Sequence, residues 1–311
     1  MWKGRAGLTR PAPTFYNAVM RIWILCFVLL GTLEAGGTVG YTYLQIPVSV
    51  DEALLGIGLG ALPGPTSLRV NPAAWPTART ASLQGISYLA GVQGLGVFYV
   101  PSQDWALSLY GWNSGRMTRT DTLGRELGDF STTHSALSGY YHRPFLGRGT
   151  LGIALSLYYQ GIAEYNAVAA GMDVGVLYPL AEKPVTLGAA IRHVGVELKS
   201  MAQQRSNPGP ELNLMGAWRF PTVQLAAGIA WTPGNATFTL GTLWQVSSLL
   251  TVGLGFSSKG PEANVGRERD FLNGWSAGFK LHHRKLVFGY AYTPLGELGD
   301  IHRISLEFTG F

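Results

Sequence analysis

The 311-residue chain has one cysteine, Cys26, which lies inside an apolar run near the N-terminus. It lacks the small residues that precede a lipoprotein cysteine. With that run removed as a leader no thiol remains, which excludes disulfide staples, cysteine nucleophiles and thiolate metal sites. Charge is scarce as well, at 13% of residues against about 25% in an ordinary soluble domain. The formal net charge of +5 is front-loaded, because Lys3, Arg5, Arg10 and Arg21 precede residue 35 with only Glu34 against them. No basic cluster follows, which excludes a nucleic-acid surface. After Trp75 there is no apolar run of about 18 residues, so membrane-spanning helices are excluded too.

Catalytic and metal-binding patterns are equally absent. The six histidines, His134, His142, His193, His282, His283 and His302, show no His-x-x-x-His or comparable spacing with a carboxylate, so no metal site is expected. His134-Ser135 cannot pair as base and nucleophile on a strand, where adjacent side chains point to opposite faces. Gly56-Ile57-Gly58-Leu59-Gly60 lacks the Lys-Ser/Thr that completes a phosphate-cradling loop and reads as permissive backbone in a packed segment. "GRERD" (266–270) reads as a solvated loop rim. The expectation is a protein that is not an enzyme and holds no cofactor.

What is present is glycine, 42 residues, about twice the usual share of ~7%. Hydrophobic residues make up 47% of the chain, ample for a large buried surface. Arg21 to Gly37, "RIWILCFVLLGTLEAGG", has the basic start, short apolar run and small-residue exit of a secretory signal peptide. Met20 is a candidate start. Residues 1–37 are therefore assigned to an N-terminal extension and leader, 38–80 to an N-terminal segment, and 81–311 to the main domain.

That domain alternates with a period of two. In "TLGIALSLYYQ", Leu151, Ile153, Leu155, Leu157 and Tyr159 share one face, while Gly152, Ala154, Ser156, Tyr158 and Gln160 share the other. The same period recurs through Val223–Trp231, Leu250–Phe256 and Leu286–Tyr292. The segments have the length a tilted strand needs to cross a bilayer, and many end in aromatics suited to headgroup-level girdles, such as Trp105 with Trp112, Tyr158 with Tyr159, and Trp218 with Phe220. About fourteen strands are expected, at 81–90, 93–101, 104–112, 133–143, 149–160, 166–178, 185–198, 210–220, 222–232, 236–246, 248–257, 272–282, 285–293 and 301–308.

Every second connection is a short turn, and the long ones (113–133, 200–209 and 258–271) fall in the other set. Opposite ends with short and long connections are a mark of an outer-membrane barrel, with turns in the periplasm and loops outside. Lipid offers no hydrogen-bond partner, so a sheet in a membrane must close on itself. The expected fold is all-β, a transmembrane antiparallel barrel in the outer membrane of a Gram-negative cell. An even strand number places both mature termini in the periplasm.

Leu68 to Trp75, "LRVNPAAW", breaks regular structure, because Asn favours turns and Pro fixes φ while removing a donor. Asn71, Pro72 and Ala73 are expected to form a structural hinge where the N-terminal segment leaves the lumen for the first strand near Ala81. Arg192, Arg219 and Lys280 are the polar residues expected to face the lumen.

Two stretches resemble a known family. "YTYLQIPVSVDEALLG…LRVNPAAW" (Tyr41 to Trp75) is similar to the start of PorV- and PorQ-type outer-membrane proteins, with an aromatic-Leu element, a Pro-x-Ser step, a glycine-rich run and Asn-Pro-Ala. "YAYTPLGELGDIHRISLEF" (Tyr290 to Phe308) resembles their closing hairpin. The Pro-x-Ser opening leans to the PorQ side, whereas Ser49-Val50-Asp51 stands where the family often has Ser-Ala-Arg. The resemblance implies a barrel like that of the fatty acid transporter FadL, with fourteen strands and an N-terminal segment lodged in the lumen. It also implies a part in type IX secretion or surface attachment through binding of secretion-system or cell-surface proteins. The alternative is a FadL-like channel for long-chain fatty acids or other hydrophobic compounds. For that role the inward set is polar, and Leu54, Leu55, Ile57 and Leu59 are the candidates for apolar lining.

Overall fold

The structure is a computed structural model that describes residues 40–180, 183–201, 205–260, 264–266 and 268–310. The leader over 1–37, with Met20 and Cys26, lies outside the described residues. The strands are β1 (Thr80–Ser87), β2 (Gln93–Val100), β3 (Trp105–Asn113), β4 (Met117–Thr120), β5 (Glu126–Phe130), β6 (Thr132–Phe145), β7 (Gly149–Ile162), β8 (Tyr165–Pro179), β9 (Val185–Lys199), β10 (Glu211–Arg219), β11 (Val223–Thr232), β12 (Asn235–Gln245), β13 (Leu250–Ser257), β14 (Trp275–His283), β15 (Leu286–Pro294) and β16 (Asp300–Thr309). All but β4 and β5 form one closed antiparallel barrel of fourteen strands, sealed where β1 pairs with β16. β4 and β5 make a separate hairpin within the β3–β6 connection. The strands expected at 81–90 and 272–282 are shortened at Ser87 and Trp275, because 3₁₀ turns (Leu89–Gly91 and Glu268–Leu272) adjoin them.

Alternation converts directly into two surfaces. In β3, Trp105, Leu107 and Leu109 are exposed while Ala106, Ser108 and Tyr110 are buried. The same outward exposure holds for Leu137, Leu155, Leu157, Leu240 and Leu306. An aqueous protein would not leave such a continuous apolar exterior on a closed wall, whereas a bilayer requires it. Closure also leaves no unpaired strand edge, the arrangement that hydrocarbon demands. Exposed aromatics gather at two levels. Trp105, Tyr141, Tyr178, Trp218, Trp244 and Phe308 lie toward the short turns, and Tyr159, Tyr165, Trp231, Phe238 and Trp275 toward the long loops. Trp112 and Tyr158, expected in these girdles, instead sit on the inward register, where Trp112 meets Tyr88 and Tyr158 meets Tyr41.

The N-terminal segment fills the lumen and runs its length. Gly40 bridges Pro208 and donates its N–H to the Asn207 carbonyl in the β9–β10 loop, so the described chain begins at the loop end. It then forms a 3₁₀ turn (Thr42–Gln45), the helix α1 (Val50–Leu55), a second 3₁₀ stretch (Gly56–Ala61) and the short helix α2 (Ser67–Val70) before reaching β1 at the turn end. The last strand, β16, also finishes at the turn end, since Thr309 pairs with Thr80. From Gly40 at the loop end to Thr80 at the turn end, the segment thus crosses the barrel before the wall begins.

Leu54, Leu55 and Leu59 pack against Met215, Ala217, Ala226 and Leu243 of the wall. Glycine makes this approach possible. A Cβ at Gly241 of β12 would stand 2.1 Å from the Leu54 carbonyl oxygen, and one at Gly152 of β7 would stand 2.2 Å from that of Pro72. No side chain fits at either place.

Candidate functional site

Between the segment and the loop end lies a cavity of about 490 Å³. Its apolar lining comes from Leu44, Ile46 and Ile57 of the segment, Phe256 of β13, and Leu295, Leu298 and Ile301 around the β15–β16 connection. Of the four residues expected to supply apolar lining, only Ile57 reaches it. Leu54, Leu55 and Leu59 are turned to the wall instead.

Its charged lining is Glu52, Arg69, Arg192, Glu211, Lys259 and Arg303, four cations against two carboxylates. Glu52 and Arg69 form the support of the floor. Ser49 caps α1 by accepting the Glu52 N–H at 3.0 Å, and the Glu52 carboxylate accepts the Val48 N–H at 2.6 Å. The carboxylate's other oxygen meets Arg69 Nη1 at 3.0 Å, and Arg69 Nη2 donates to the Leu44 and Ile46 carbonyls at 2.6 and 2.9 Å. One guanidinium thus ties α2 to α1 and to the first turn of the segment. The Tyr110 ring lies beside the same guanidinium, its centroid 4.9 Å from Cζ. Burial, aided by the Glu197 carboxylate at 3.3 Å, raises the Tyr41 phenol and keeps it a donor.

The other two arginines are less completely engaged. Arg192 Nη1 donates to Glu211 Oε1 at 2.9 Å, while its Nε and Nη2, the edge suited to a two-pronged carboxylate, have no partner among the described residues. Arg303 gives Nε to the Pro47 carbonyl at 3.1 Å and Nη1 to Thr293 Oγ1 at 2.9 Å. Although it is only 2% exposed, no described carboxylate pairs with it. Lys259 at the mouth donates to Gln45 Oε1 at 2.9 Å. The arrangement can bind an apolar body and an anionic group.

A triad-like set deeper in the wall has a structural reading. His193 adopts φ 58° at the β8–β9 bulge. Its N–H donates to Asp173 Oδ1 at 2.6 Å, and Nδ1 meets the Tyr158 hydroxyl at 3.1 Å. Asp173 takes up an amide that the bulge removes from the strand ladder.

Of the residues singled out from sequence, Arg192 and Lys280 lie inside, each with its own carboxylate. Lys280 donates to Asp51 at 2.8 and 3.1 Å. Arg219 shares their inward register but stands exposed at the turn end of β10. The structure does not bring the three together. Asn71 is fully buried and its Nδ2 donates to the Gly60 and Val176 carbonyls at 3.0 and 3.1 Å. Its Oδ1 accepts the Ala73 N–H at 3.0 Å. Pro72 seats over Gly152 and Gly175, and Trp75 then stacks on His142 with centroids 4.2 Å apart. Sequence reasoning missed Asp51, Glu52, Arg69, Glu211 and Arg303. The Ser49-x-x-Glu52 spacing is a helix-start signature that was available, while nothing local marks the others.

No protein-family model matches the chain, and no curated protein sequence matches it either. Solved structures do. The chain is similar to the toluene transporter TbuX of Ralstonia pickettii, with 12% identity and a TM-score of 0.57 over 87% of this chain and 100% of that one. It is similar to a Pseudomonas aeruginosa FadL homologue, with 13% identity and a TM-score of 0.54 over 85% and 99%. The Pseudomonas putida toluene transporter TodX matches with 12% identity and a TM-score of 0.52 over 88% and 98%. At these identities the likeness is one of fold.

Proposed function

We propose that this barrel is an outer-membrane channel for a hydrophobic small molecule that carries an anionic group, and that the loop-end cavity is where the molecule is first held. The observation that carries the reading is Arg303, a buried guanidinium that no described carboxylate pairs with, in a pocket whose other walls are largely apolar. Lys259 adds to the positive excess, and Arg192, paired with Glu211, keeps an Nε and Nη2 edge that has no partner among the described residues. The turn end faces the periplasm and the loops face outward, and Asn71-Pro72-Ala73 holds the segment closed against the turn side. The transport named for the TbuX and TodX relatives agrees with the apolar walls. The anionic preference comes from this chain's own charges.

The test is binding of a fluorescent long-chain carboxylate to the detergent-purified barrel. Arg303→Gln should weaken it by about tenfold or more, since a charge-assisted hydrogen bond contributes about 1.5–3 kcal/mol, and the matching long-chain alcohol should lose little. Equal affinities for acid and alcohol in the unaltered protein would rule the proposal out.

A second reading, partner binding in type IX secretion of the PorV or PorQ kind, draws on the motifs at the two ends of the chain and on the exposed β4–β5 hairpin. Affinity purification from native outer membranes separates the two. A surface or secretion protein retained in place of a small molecule, with uptake unaffected by deletion, favours the second.

A further inference from the structure

The turn end of the barrel carries an unusual charge distribution. Arg79 precedes β1, Arg143 and Arg148 flank the β6–β7 turn, Lys183 lies between β8 and β9, Arg219 ends β10, and Arg284 and Lys285 make the β14–β15 turn; all seven are exposed. Asp104, in the β2–β3 turn, is the one carboxylate of these connections among the described residues, and the sequence adds Glu182 in the β8–β9 connection. In the connections themselves cations therefore outnumber carboxylates five to two, with Arg143 and Arg219 at strand ends set against Glu307 near the end of β16. At the loop end the signs are mixed, and ion pairs such as Arg116–Asp129, Arg125–Asp121 and Arg269–Asp300 neutralise one another. Among the described residues of these connections and strand ends, Arg143 is the cation that meets a carboxylate, Asp104, at 3.9 Å.

Two features say what this rim faces. First, the cations are spread around the perimeter, at three of the six turns, at one strand end and ahead of β1, instead of being gathered over the lumen. Second, two of them lean on the lipid-facing girdle. The Arg143 guanidinium lies 4.9 Å from the Tyr141 ring, and Lys285 Nζ lies 6.0 Å from that of Phe308, and both rings are exposed on the outer face. Cations held against interfacial aromatics lie at the depth of the headgroup phosphates, the position of snorkelling side chains at a membrane surface.

We infer that the turn-end rim is a binding surface for anionic phospholipid headgroups of the leaflet in which it sits. Six cations around the wall, with Arg219 on the inward register at the same end, meet phosphates on several sides, whereas a soluble acidic partner would be met best by a compact patch. The inference rests on the membrane-spanning reading of the barrel and is independent of what the cavity holds.

The test reconstitutes the full chain into nanodiscs of phosphatidylcholine and phosphatidylglycerol in equal parts. The protein is then released into mild detergent, and the lipids that stay bound are counted by native mass spectrometry. The unaltered barrel should retain phosphatidylglycerol roughly fivefold over phosphatidylcholine. The variant R148Q/K183Q/R219Q/R284Q/K285Q should retain the two alike, and a loop-end control, R116Q/R119Q/R125Q, should behave as the unaltered protein. All these residues are exposed, and heat-shifted gel mobility verifies that each barrel is folded. Equal retention by the unaltered protein, or an enrichment that survives in the rim variant or vanishes in the loop-end control, overturns the inference. So does loss of the lipid preference together with capture of an acidic protein through the same cations. A barrel that enters no nanodisc defeats the membrane reading itself, which separates the two failures.

Discussion

Glu52 does more in this fold than any other single side chain of the segment. It completes a capping box, accepts the Val48 amide and neutralises Arg69, with both charges almost fully buried. Removing one member of a buried pair leaves the other charge uncompensated, at a cost of about 3–5 kcal/mol, whereas replacing both with apolar residues of similar size is often neutral. We expect Glu52→Gln to loosen the segment by that order while the strand ladder of the wall persists, and Glu52→Leu/Arg69→Leu to recover most of the loss. Limited proteolysis of residues 45–70 and denaturant midpoints in micelles check both halves. A Glu52→Gln protein with unchanged protease resistance would show that the pair is not what holds the floor. None of this was legible beyond the Ser49-x-x-Glu52 spacing. The partner at Arg69 is 17 positions away, and only the fold of the segment brings it within 3.0 Å.

At the level of elements the strands were the most legible part. Leu151, Ile153, Leu155 and Leu157 alternate with small or polar residues because one face meets lipid and the other a filled lumen, and that contrast is written in the chain. The β4–β5 hairpin was not legible, since "MTRT" and "ELGDF" meet water on both faces and carry no alternation of polarity. The path of the segment was hidden for a different reason. Nothing local to Gly40 tells that it pairs with Pro208, which is a tertiary contact at the far end of the barrel. A consequence follows for accessibility. In a Cys26→Ser background, Thr42→Cys should react with a membrane-impermeant maleimide added to intact cells, and Arg284→Cys should react only after lysis. The reverse pattern would invert either the orientation or the path of the segment.

For the whole molecule the question is what the filled lumen does to permeability. The segment packs along β9 to β16 through α1 and the second 3₁₀ stretch, so the barrel interior is occupied where a porin of similar girth holds water. Deleting residues 42–71 should convert it to a water-filled pore, with planar-bilayer conductance rising by about tenfold or more over the intact protein. A deletion protein that is folded by its gel mobility and conducts no better would mean that other side chains close the lumen.

The path of the N-terminal segment also constrains the order of assembly. β1 follows the segment directly in sequence and pairs with β16, the strand of the wall farthest from it along the chain. A wall that closed first would have to admit some thirty residues lengthwise through a bore crossed by buried ion pairs and by backbone lying against Gly152 and Gly241. A wall laid down around a segment already in place meets no such obstacle. The segment is thus the mandrel on which the cylinder is wound, and the β1–β16 seam is the step that makes the winding permanent.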